Sequence, residues 1–231
     1  MTFAAIIVAA GRGIRFGRQK QLVEVAGRPL VAWCLATFGA MAELGELIIA
    51  TEEEHLATMA DLARAYAPTL PATVVRGGAT RQGSVRNALA AVSPAFDAVF
   101  VHDGARPLVR AADIRAAMAL VSPGTGALLA APVVDTIKVI AADGVTVART
   151  LDRSELWAAQ TPQFGTLADL RAAHAAAERA GDEATDDAML LERAGHRVIV
   201  VRPSGENFKV TTSGDRDLAE SILRERAMVA P

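Results

Sequence analysis

The sequence has almost no cysteine, few aromatic residues, no long apolar run and no excess of one charge. Cys34 is the single cysteine among 231 residues. No internal disulfide can form, and a reducing compartment suits the chain. Aromatic residues make up 4 % against 52 % hydrophobic residues overall. That balance calls for alanine-rich helices packed closely on a sheet rather than a core of large rings. Lys and Arg number 24 and Asp and Glu 26, for a net charge of −2, which excludes a general attraction to nucleic acid or to an anionic membrane surface. Any anionic partner must be held by a local cluster of cations. No stretch approaches the ~20 apolar residues of a membrane span, and the N-terminus lacks the basic segment and the length of a signal peptide. The expectation is a soluble, cytoplasmic protein with no nucleic-acid or membrane partner. The length suffices for a full core and no composition break divides it, so one domain over 1–231 is expected.

What is present is organised around the opening stretch. Phe3 to Ala10 is an apolar run with the length of a strand buried on both faces. It empties into Gly11, Gly13 and Gly17, interleaved with Arg12, Arg15, Arg18 and Lys20. Glycines let successive peptide N–H groups converge on an anion, and the cations concentrate positive charge in the same span. Such a loop suits a polyphosphate. The Gly-Lys-Ser/Thr of a P-loop is absent. A dinucleotide fingerprint is absent too. The spacing Gly11-x-Gly13-x-x-x-Gly17 is wrong, Gln21 to Pro29 reads as extended chain and a turn, and the place for a ribose-binding carboxylate falls near apolar Leu30 and Val31. What remains is a nucleotide loop of another kind, with Arg15 and Lys20 as its working cations.

Strand and helix then alternate. The pattern predicts strands over Glu46–Thr51, Ala72–Arg76, Ala98–Val101 and Gly126–Val134. It predicts helices over Pro29–Met41, Glu52–Tyr66, Val85–Val92 and Ala111–Val121. This rhythm implies an α/β fold with a mostly parallel sheet covered on both faces. Ligands of such sheets gather at the carboxyl ends of the strands. Three unusual polar loops stand there: the one after Ala10, Gly77-Gly78-Ala79-Thr80-Arg81 after Arg76, and His102-Asp103-Gly104-Ala105-Arg106-Pro107 after Val101. Together they predict one composite site. Between Thr136 and Thr150 the rhythm breaks. Ile137–Ile140 and Val145–Ala148 flank Asp143-Gly144, a favoured hairpin turn. A lone hairpin is marginal in water, so it must pack on its own domain or on a second subunit, and the residues leave both open. A helix over Leu167–Ala180, a helix over Asp186–Ala194 capped by Thr185, a strand over Arg197–Arg202, an extended piece Asn207–Thr211 and a helix over Asp215–Ala227 complete the chain.

Several segments carry a resemblance in their order. They are Ala9-Ala10-Gly11-x-Gly13-x-Arg15 with Lys20-Gln21, Gly77-Gly78-x-x-Arg81-x-x-Ser84-Val85, and His102-Asp103-x-Ala105-Arg106-Pro107. Asp135-Thr136-x-Lys138, Asp152-Arg153, Thr161-Pro162-Gln163, Thr185-Asp186 and Lys209-Val210-Thr211 follow. The ordered set resembles the cytidylyltransferase family that couples CTP to 2-C-methyl-D-erythritol 4-phosphate in the non-mevalonate isoprenoid pathway. Gln19 stands where many of that family carry proline, and Gly104 where alanine is common.

The resemblance implies a doubly wound, Rossmann-like nucleotidyltransferase domain with a protruding β-arm at about 135–155. The arm would embrace a second subunit to make a homodimer. It implies transfer of CMP from CTP, giving 4-diphosphocytidyl-2-C-methyl-D-erythritol and pyrophosphate. Carried over position by position, Arg15 and Lys20 would stabilise the triphosphate in the transition state, and Arg153 and Lys209 would hold and aim the acceptor. Ala9, Ala10, Gly11, Gly78 and Ser84 would form the pocket for cytosine and ribose, bordered by Asp103, Ala105 and Arg106. Thr136, Thr161 and Thr185 would join the acceptor side, with Thr136 and Arg153 reaching in from the neighbour's arm. Mg²⁺ is expected, bound mainly through the CTP phosphates rather than in a protein cage.

The implied chemistry suits these residue types. A phosphate-monoester nucleophile is already anionic at neutral pH, so the task is to bring two anions together and stabilise developing charge. Fixed cations serve that better than a general base. Taken alone, each residue has a plainer reading. Lys209 reads as a surface lysine, Arg153 as a partner of Asp152 or Glu155, Asp103 as a turn cap, and His102 as a structural histidine ending a buried strand. Two rival functions share the nucleotide half of the site. One is a cytidylyltransferase for another polyol phosphate such as ribitol 5-phosphate. The other is a nucleotide-binding regulator without turnover, which would not need cations for both ends of the reaction.

Overall fold

Strand β1 (Phe3–Val8) runs through the middle of the sheet because both of its faces are apolar. Phe3, Ala5 and Ile7 enter one core, and Ala4 and Ile6 enter the other. The computed structural model describes residues 1–11 and 20–229. Arg12, Gly13, Arg15, Gly17 and Arg18 therefore lie outside the described residues. After the loop come a small hairpin, β2 (Glu24–Val25) and β3 (Arg28–Pro29), helix α1 (Leu30–Gly39) and strand β4 (Leu44–Thr51). Helix α2 (Leu56–Tyr66), β5 (Ala72–Arg76), α3 (Arg81–Ala91), β6 (Ala98–Asp103), α4 (Ala111–Met118) and β7 (Thr125–Pro132) follow. Next are a second hairpin, β8 (Lys138–Ile140) and β9 (Val147–Thr150), then β10 (Trp157–Thr166) and α5 (Leu167–Ala180). Helix α6 (Asp187–Arg193), β11 (Arg197–Val201) and α7 (Ser213–Val229) close the described chain.

Among the described residues the central sheet has seven strands in the order β11-β7-β10-β6-β1-β4-β5. β1 lies parallel to β4 and β6, β4 to β5, and β7 to β11. β10 runs antiparallel to both β6 and β7. α1, α2 and α4 cover one face and α3, α5 and α6 the other. This is the expected doubly wound, mostly parallel α/β sheet. The chain winds outward from β1 through β4 to β5, then crosses to β6 on the far side of β1. That reversal opens a crevice beyond the carboxyl ends of β1 and β6. Helix α7 lies over this end of the molecule. Its Ala219 and Leu223 pack with Val25, Leu30, Ala105, Leu108 and Val210.

Local chemistry explains the boundaries. Thr80 caps α3 by accepting the Gly83 N–H at 3.0 Å, and Thr166 caps α5 by accepting the Asp169 N–H at 3.0 Å. Gly181 ends α5 in the left-handed conformation at φ 68°. α6 is capped by Asp186, which accepts the Met189 N–H at 2.9 Å, and not by Thr185 as the sequence suggested. The carboxylate outcompetes the hydroxyl one residue earlier. α3 begins at Arg81, ahead of the expected Val85, because Thr80 supplies its cap. β6 extends two residues past Val101, since His102 and Asp103 still pair with Ile7 and Val8. β9 starts two residues later than expected because the Asp143 carboxylate draws the Val145 and Thr146 N–H groups into the turn. No element is expected at β10 from the sequence: its Gln160, Pro162 and Gln163 carry no strand signal. It tolerates Pro162 because the ladder shifts register between Ala159 and Gln163. Asn207–Thr211 is extended but joins no strand, and the Val210 N–H donates to the Ala105 carbonyl at 2.8 Å.

Cys34 lies on the buried face of α1, where desolvation pushes its thiol up to about 12. It is the small core residue the sequence implied. Among the described residues no helix is long and apolar enough to cross a membrane.

Candidate functional site

The three polar loops meet where the strands end. Ala9 continues β1, its N–H donating to the Ala50 carbonyl at 2.7 Å. A Cβ on Gly77 would lie 2.4 Å from the Ala10 Cβ, so the loop after β5 rests directly on the end of β1. A Cβ on Gly78 would lie 2.6 Å from the Gly83 carbonyl carbon. Only glycine lets that backbone sit on the first turn of α3. Ser84 is buried, accepts the Gly78 N–H at 3.0 Å and donates to the Thr80 carbonyl at 2.9 Å. Its hydroxyl shapes the loop from within. Ala10 and Gly78 stand partly exposed and Gly11 exposed at this edge, whereas Ala9 and Ser84, expected to line the base and ribose pocket, are buried beneath it. Lys20 re-enters the described chain at a short turn, Lys20–Leu22. Its neighbour Gln21 is buried with its amide nitrogen 3.4 Å from where a Gly11 Cβ would stand. The two feet of the opening loop are therefore side by side. Arg15 lies outside the described residues.

A charged cluster sits at the end of β6. Asp103 Oδ2 accepts from Lys209 Nζ at 2.8 Å, and Asp103 Oδ1 accepts from Arg81 Nε at 3.2 Å. Arg106 Nε stands 4.0 Å from Asp103 Oδ2, and its Nη1 donates to the Asn207 carbonyl at 2.8 Å. Burial pushes the Asp103 carboxyl up, but the charges of Arg81 and Lys209 outweigh it and hold the group well below the usual carboxylate range. Asp103 is thus an ionised anchor for cations rather than a turn cap. Lys209, half-exposed, is drawn to the cluster and is no ordinary surface lysine. Asn207 holds the extended segment that carries Lys209, its side-chain amide donating to the Thr161 carbonyl at 2.8 Å and to Gln160 Oε1 at 3.0 Å. Arg81 and Asn207 were missed as site residues. Arg81 had a signal in its place within the Gly77-to-Val85 stretch; Asn207 had none.

His102 and Thr161 lie beneath this surface. Thr161 Oγ1 accepts the Asp103 N–H at 2.9 Å and lies 3.2 Å from His102 Nδ1. His102 Nε2 is 3.1 Å from the Arg106 carbonyl. A neutral imidazole satisfies all of this, donating from Nε2 and accepting at Nδ1. Thr161, expected on the acceptor side, is buried. Its hydroxyl faces inward and supports Asp103 instead of lining the cleft. Desolvation lowers the His102 pKa from 6.5 to about 4. A histidine held neutral contributes stability that is complete above its ordinary pKa and is lost as pH falls from there towards the folded value. The shift corresponds to roughly 3 kcal/mol. Thermal melts should show Tm falling between pH 6.5 and 4.5, and His102→Gln should flatten that slope. An unchanged slope in the variant would contradict the assignment.

The remaining candidates stand elsewhere. Thr136 and Arg153 belong to the arm and are exposed. Arg153 donates to the Val134 carbonyl, rather than pairing with Asp152 or Glu155. The hairpin pairs as its own two-stranded sheet. Ala142 to Thr150 is exposed throughout. Thr185 is exposed before α6, with its hydroxyl 3.8 Å from the Met189 sulfur. Among the described residues no cluster of three or more His, Cys, Asp or Glu side chains could hold a metal ion.

This arrangement can hold a nucleotide against small residues at one edge and place cations at the other. Comparison with known proteins gives the family. The family model of 2-C-methyl-D-erythritol 4-phosphate cytidylyltransferase matches residues 3–225. The enzyme of that name from Parasynechococcus marenigrum is 44 % identical over 224 residues, covering 96 % of this chain and 97 % of its own. The one from Halalkalibacterium halodurans is 40 % identical over 228 residues, covering 98 % and 99 %. Among solved structures, the 4-diphosphocytidyl-2C-methyl-D-erythritol synthase of Anaerococcus prevotii superposes with a TM-score of 0.84 at 28 % identity, covering 96 % of each chain. The cytidylyltransferase of Thermus thermophilus does so with a TM-score of 0.76 at 35 % identity, covering 97 % of this chain and 100 % of its own. With a match along nearly its whole length, the chain belongs to the 2-C-methyl-D-erythritol 4-phosphate cytidylyltransferase family.

Proposed function

We propose that the chain transfers CMP from CTP to 2-C-methyl-D-erythritol 4-phosphate, with the four cations Arg15, Lys20, Lys209 and Arg153 placed around the reacting phosphates. The observation that carries this is the Lys209–Asp103 pair at the end of β6, the strand paired with β1, at whose own end the Gly77 backbone rests on Ala10. An oxygen of the acceptor phosphate attacks the α-phosphorus. The bond from that phosphorus to the bridging oxygen breaks, and pyrophosphate leaves with the electron pair. No proton needs to move, so positioning and charge stabilisation carry the rate. Lys20 and Arg15 act on the triphosphate, and Lys209 on the acceptor phosphate. Ala10, Gly11 and Gly78 bound the base and ribose pocket, with buried Ala9 and Ser84 supporting them from beneath and Asp103, Ala105 and Arg106 along its border. Thr185 stands on the acceptor side.

The donor set fits a magnesium ion held through nucleotide phosphates. Both Asp103 oxygens are committed to Arg81 and Lys209, so the phosphates and water would supply the ligands of an ion that keeps most of its waters. When bound, magnesium would neutralise phosphate charge. The arm supports a homodimer in which Thr136 and Arg153 serve the neighbouring site. It stands apart from the central sheet and exposes Val134 at 79 %, Val145 at 83 % and Val147 at 51 %. Apolar side chains on an isolated hairpin call for a covering surface. A single buried thiol is consistent with a cytoplasmic setting.

Pyrophosphate release from CTP tests the reading. Turnover is expected with 2-C-methyl-D-erythritol 4-phosphate and far slower release with ribitol 5-phosphate. Faster release with ribitol 5-phosphate, or binding of CTP without release, would overturn it. Arg153→Ala should raise the acceptor KM by about 10-fold or more while the CTP KM stays within about 2-fold. Equal changes in both would remove Arg153 from the acceptor side.

A further inference from the structure

Arg81 opens α3 but does not face solvent. Its side chain is 26 % exposed and bridges carboxylates from two other elements. Nε donates to Asp103 Oδ1 at 3.2 Å, and Nη2 donates to Asp187 Oδ2 at 2.8 Å. Asp187 opens α6 and is 1 % exposed. Its other oxygen lies 3.1 Å from His174 Nε2 of α5, and its N–H donates to Gln163 Oε1 of β10 at 2.8 Å. The second oxygen of Asp103 accepts from Lys209 at 2.8 Å. An unbroken line therefore runs His174–Asp187–Arg81–Asp103–Lys209, from the packed face of the sheet to the rim of the cleft.

The geometry points to Arg81 as a positioning residue for the transfer reaction, acting through Asp103 to set where the Lys209 ammonium stands. The inference rests on the reading that Lys209 holds the acceptor phosphate. A guanidinium is a planar fork of donors and can address two carboxylates at once. With Oδ1 held by Arg81, Asp103 presents Oδ2 to Lys209 in one orientation. The ammonium uses one of its three donors there and is 39 % exposed, so it can still meet a phosphate. Arg106 already waits 4.0 Å from that oxygen. Without Arg81, the carboxylate is free to turn and pull Arg106 and Lys209 inward together.

A double-mutant cycle tests this, with kcat and both KM values from pyrophosphate release. Arg81→Lys keeps the charge but can serve only one carboxylate. It is expected to lower kcat by about 10-fold or more, with the CTP KM within about 2-fold. In a Lys209→Ala background the same change should alter kcat by less than about 2-fold, because the group it acts through is gone. If Arg81→Lys is not folded by circular dichroism, Arg81→Gln takes its place, with the same non-additivity expected. A normal kcat in the Arg81 variant, or effects that multiply in the double variant, would overturn the inference while leaving Lys209 in place. A Lys209→Ala enzyme with normal kcat and acceptor KM would instead remove the reading of Lys209, and the inference with it.

Discussion

Lys20→Ala and Arg15→Ala should each lower kcat by ~10²-fold or more, as expected for a lost electrostatic stabiliser, while Tm moves by only a few degrees. The reaction joins a phosphate monoester to a triphosphate, so negative charge accumulates as the bond to the leaving pyrophosphate stretches. A fixed cation reduces that cost without first having to reorganise solvent. Lys20 stands at the foot of the loop that follows β1. Its backbone is well anchored. The Val23 N–H donates to the Lys20 carbonyl at 3.1 Å, and the Leu30 N–H donates to the Val23 carbonyl at 2.9 Å. Gln21 beside it is buried. These backbone contacts do not use the Lys20 side chain, so the foot of the loop keeps them in the variant. The check is steady-state pyrophosphate release alongside thermal melts. Near-normal kcat in both variants would remove the opening loop from the chemistry.

The second large effect is on stability. Asp187→Ala should cost about 3–5 kcal/mol, the range for breaking a buried ion pair from one side. For a chain of this size that corresponds to a Tm lower by about 6–20 °C. The variant strands Arg81 beside α6 and leaves the buried His174 Nε2 without its carboxylate. Burial pushes the Asp187 carboxyl up, but Arg81 and His174 outweigh it and hold the group below its ordinary value. Asp103 is held low in the same way. A depressed carboxyl contributes stability that is complete above its unfolded pKa of ~3.9 and is lost as pH falls through the folded value. The Tm difference between the wild-type chain and Asp187→Asn should therefore stay constant from pH 8 to 5 and close below ~4. This window lies below the His102 window, so the two are separable in one series of melts. A difference that closes above pH 5 would point to another group.

Periodicity made the nucleotide half of the fold legible. Runs such as Phe3–Val8 and Leu44–Thr51 are apolar on both faces, and such strands announce a parallel sheet. The loops that end them carry glycines and charges that nothing in a core would require. β10 was not legible because it is built from Gln160, Thr161, Pro162 and Gln163, and it exists through pairing with β6 and β7 rather than through propensity. The same strand delivers Thr161 beneath Asp103 and Gln163 onto α6, so the support of the site was hidden along with it. Asp187 was hidden for another reason. An acidic run at a helix start reads as solvated capping, and Asp186 does cap, but the next residue turns inward to meet Arg81. In the sequence Arg81 and Asp187 are more than a hundred residues apart, and no local pattern connects them. The arm was legible as a hairpin from Asp143-Gly144. What covers it is a question of assembly.

In the proposed site the reacting phosphates are held by cations from two copies of the chain, Lys20 and Lys209 from one and Arg153 from the other. Subunit mixing tests it most directly. Lys20→Ala and Arg153→Ala proteins, each nearly inactive at limiting acceptor, are mixed, allowed to exchange subunits and assayed for pyrophosphate release. Half of the reassorted dimers should pair the two variants, each with one unaltered site of two, and activity should return to about a quarter of the wild-type value. No recovery, with exchange confirmed, would mean that each site is completed within one chain.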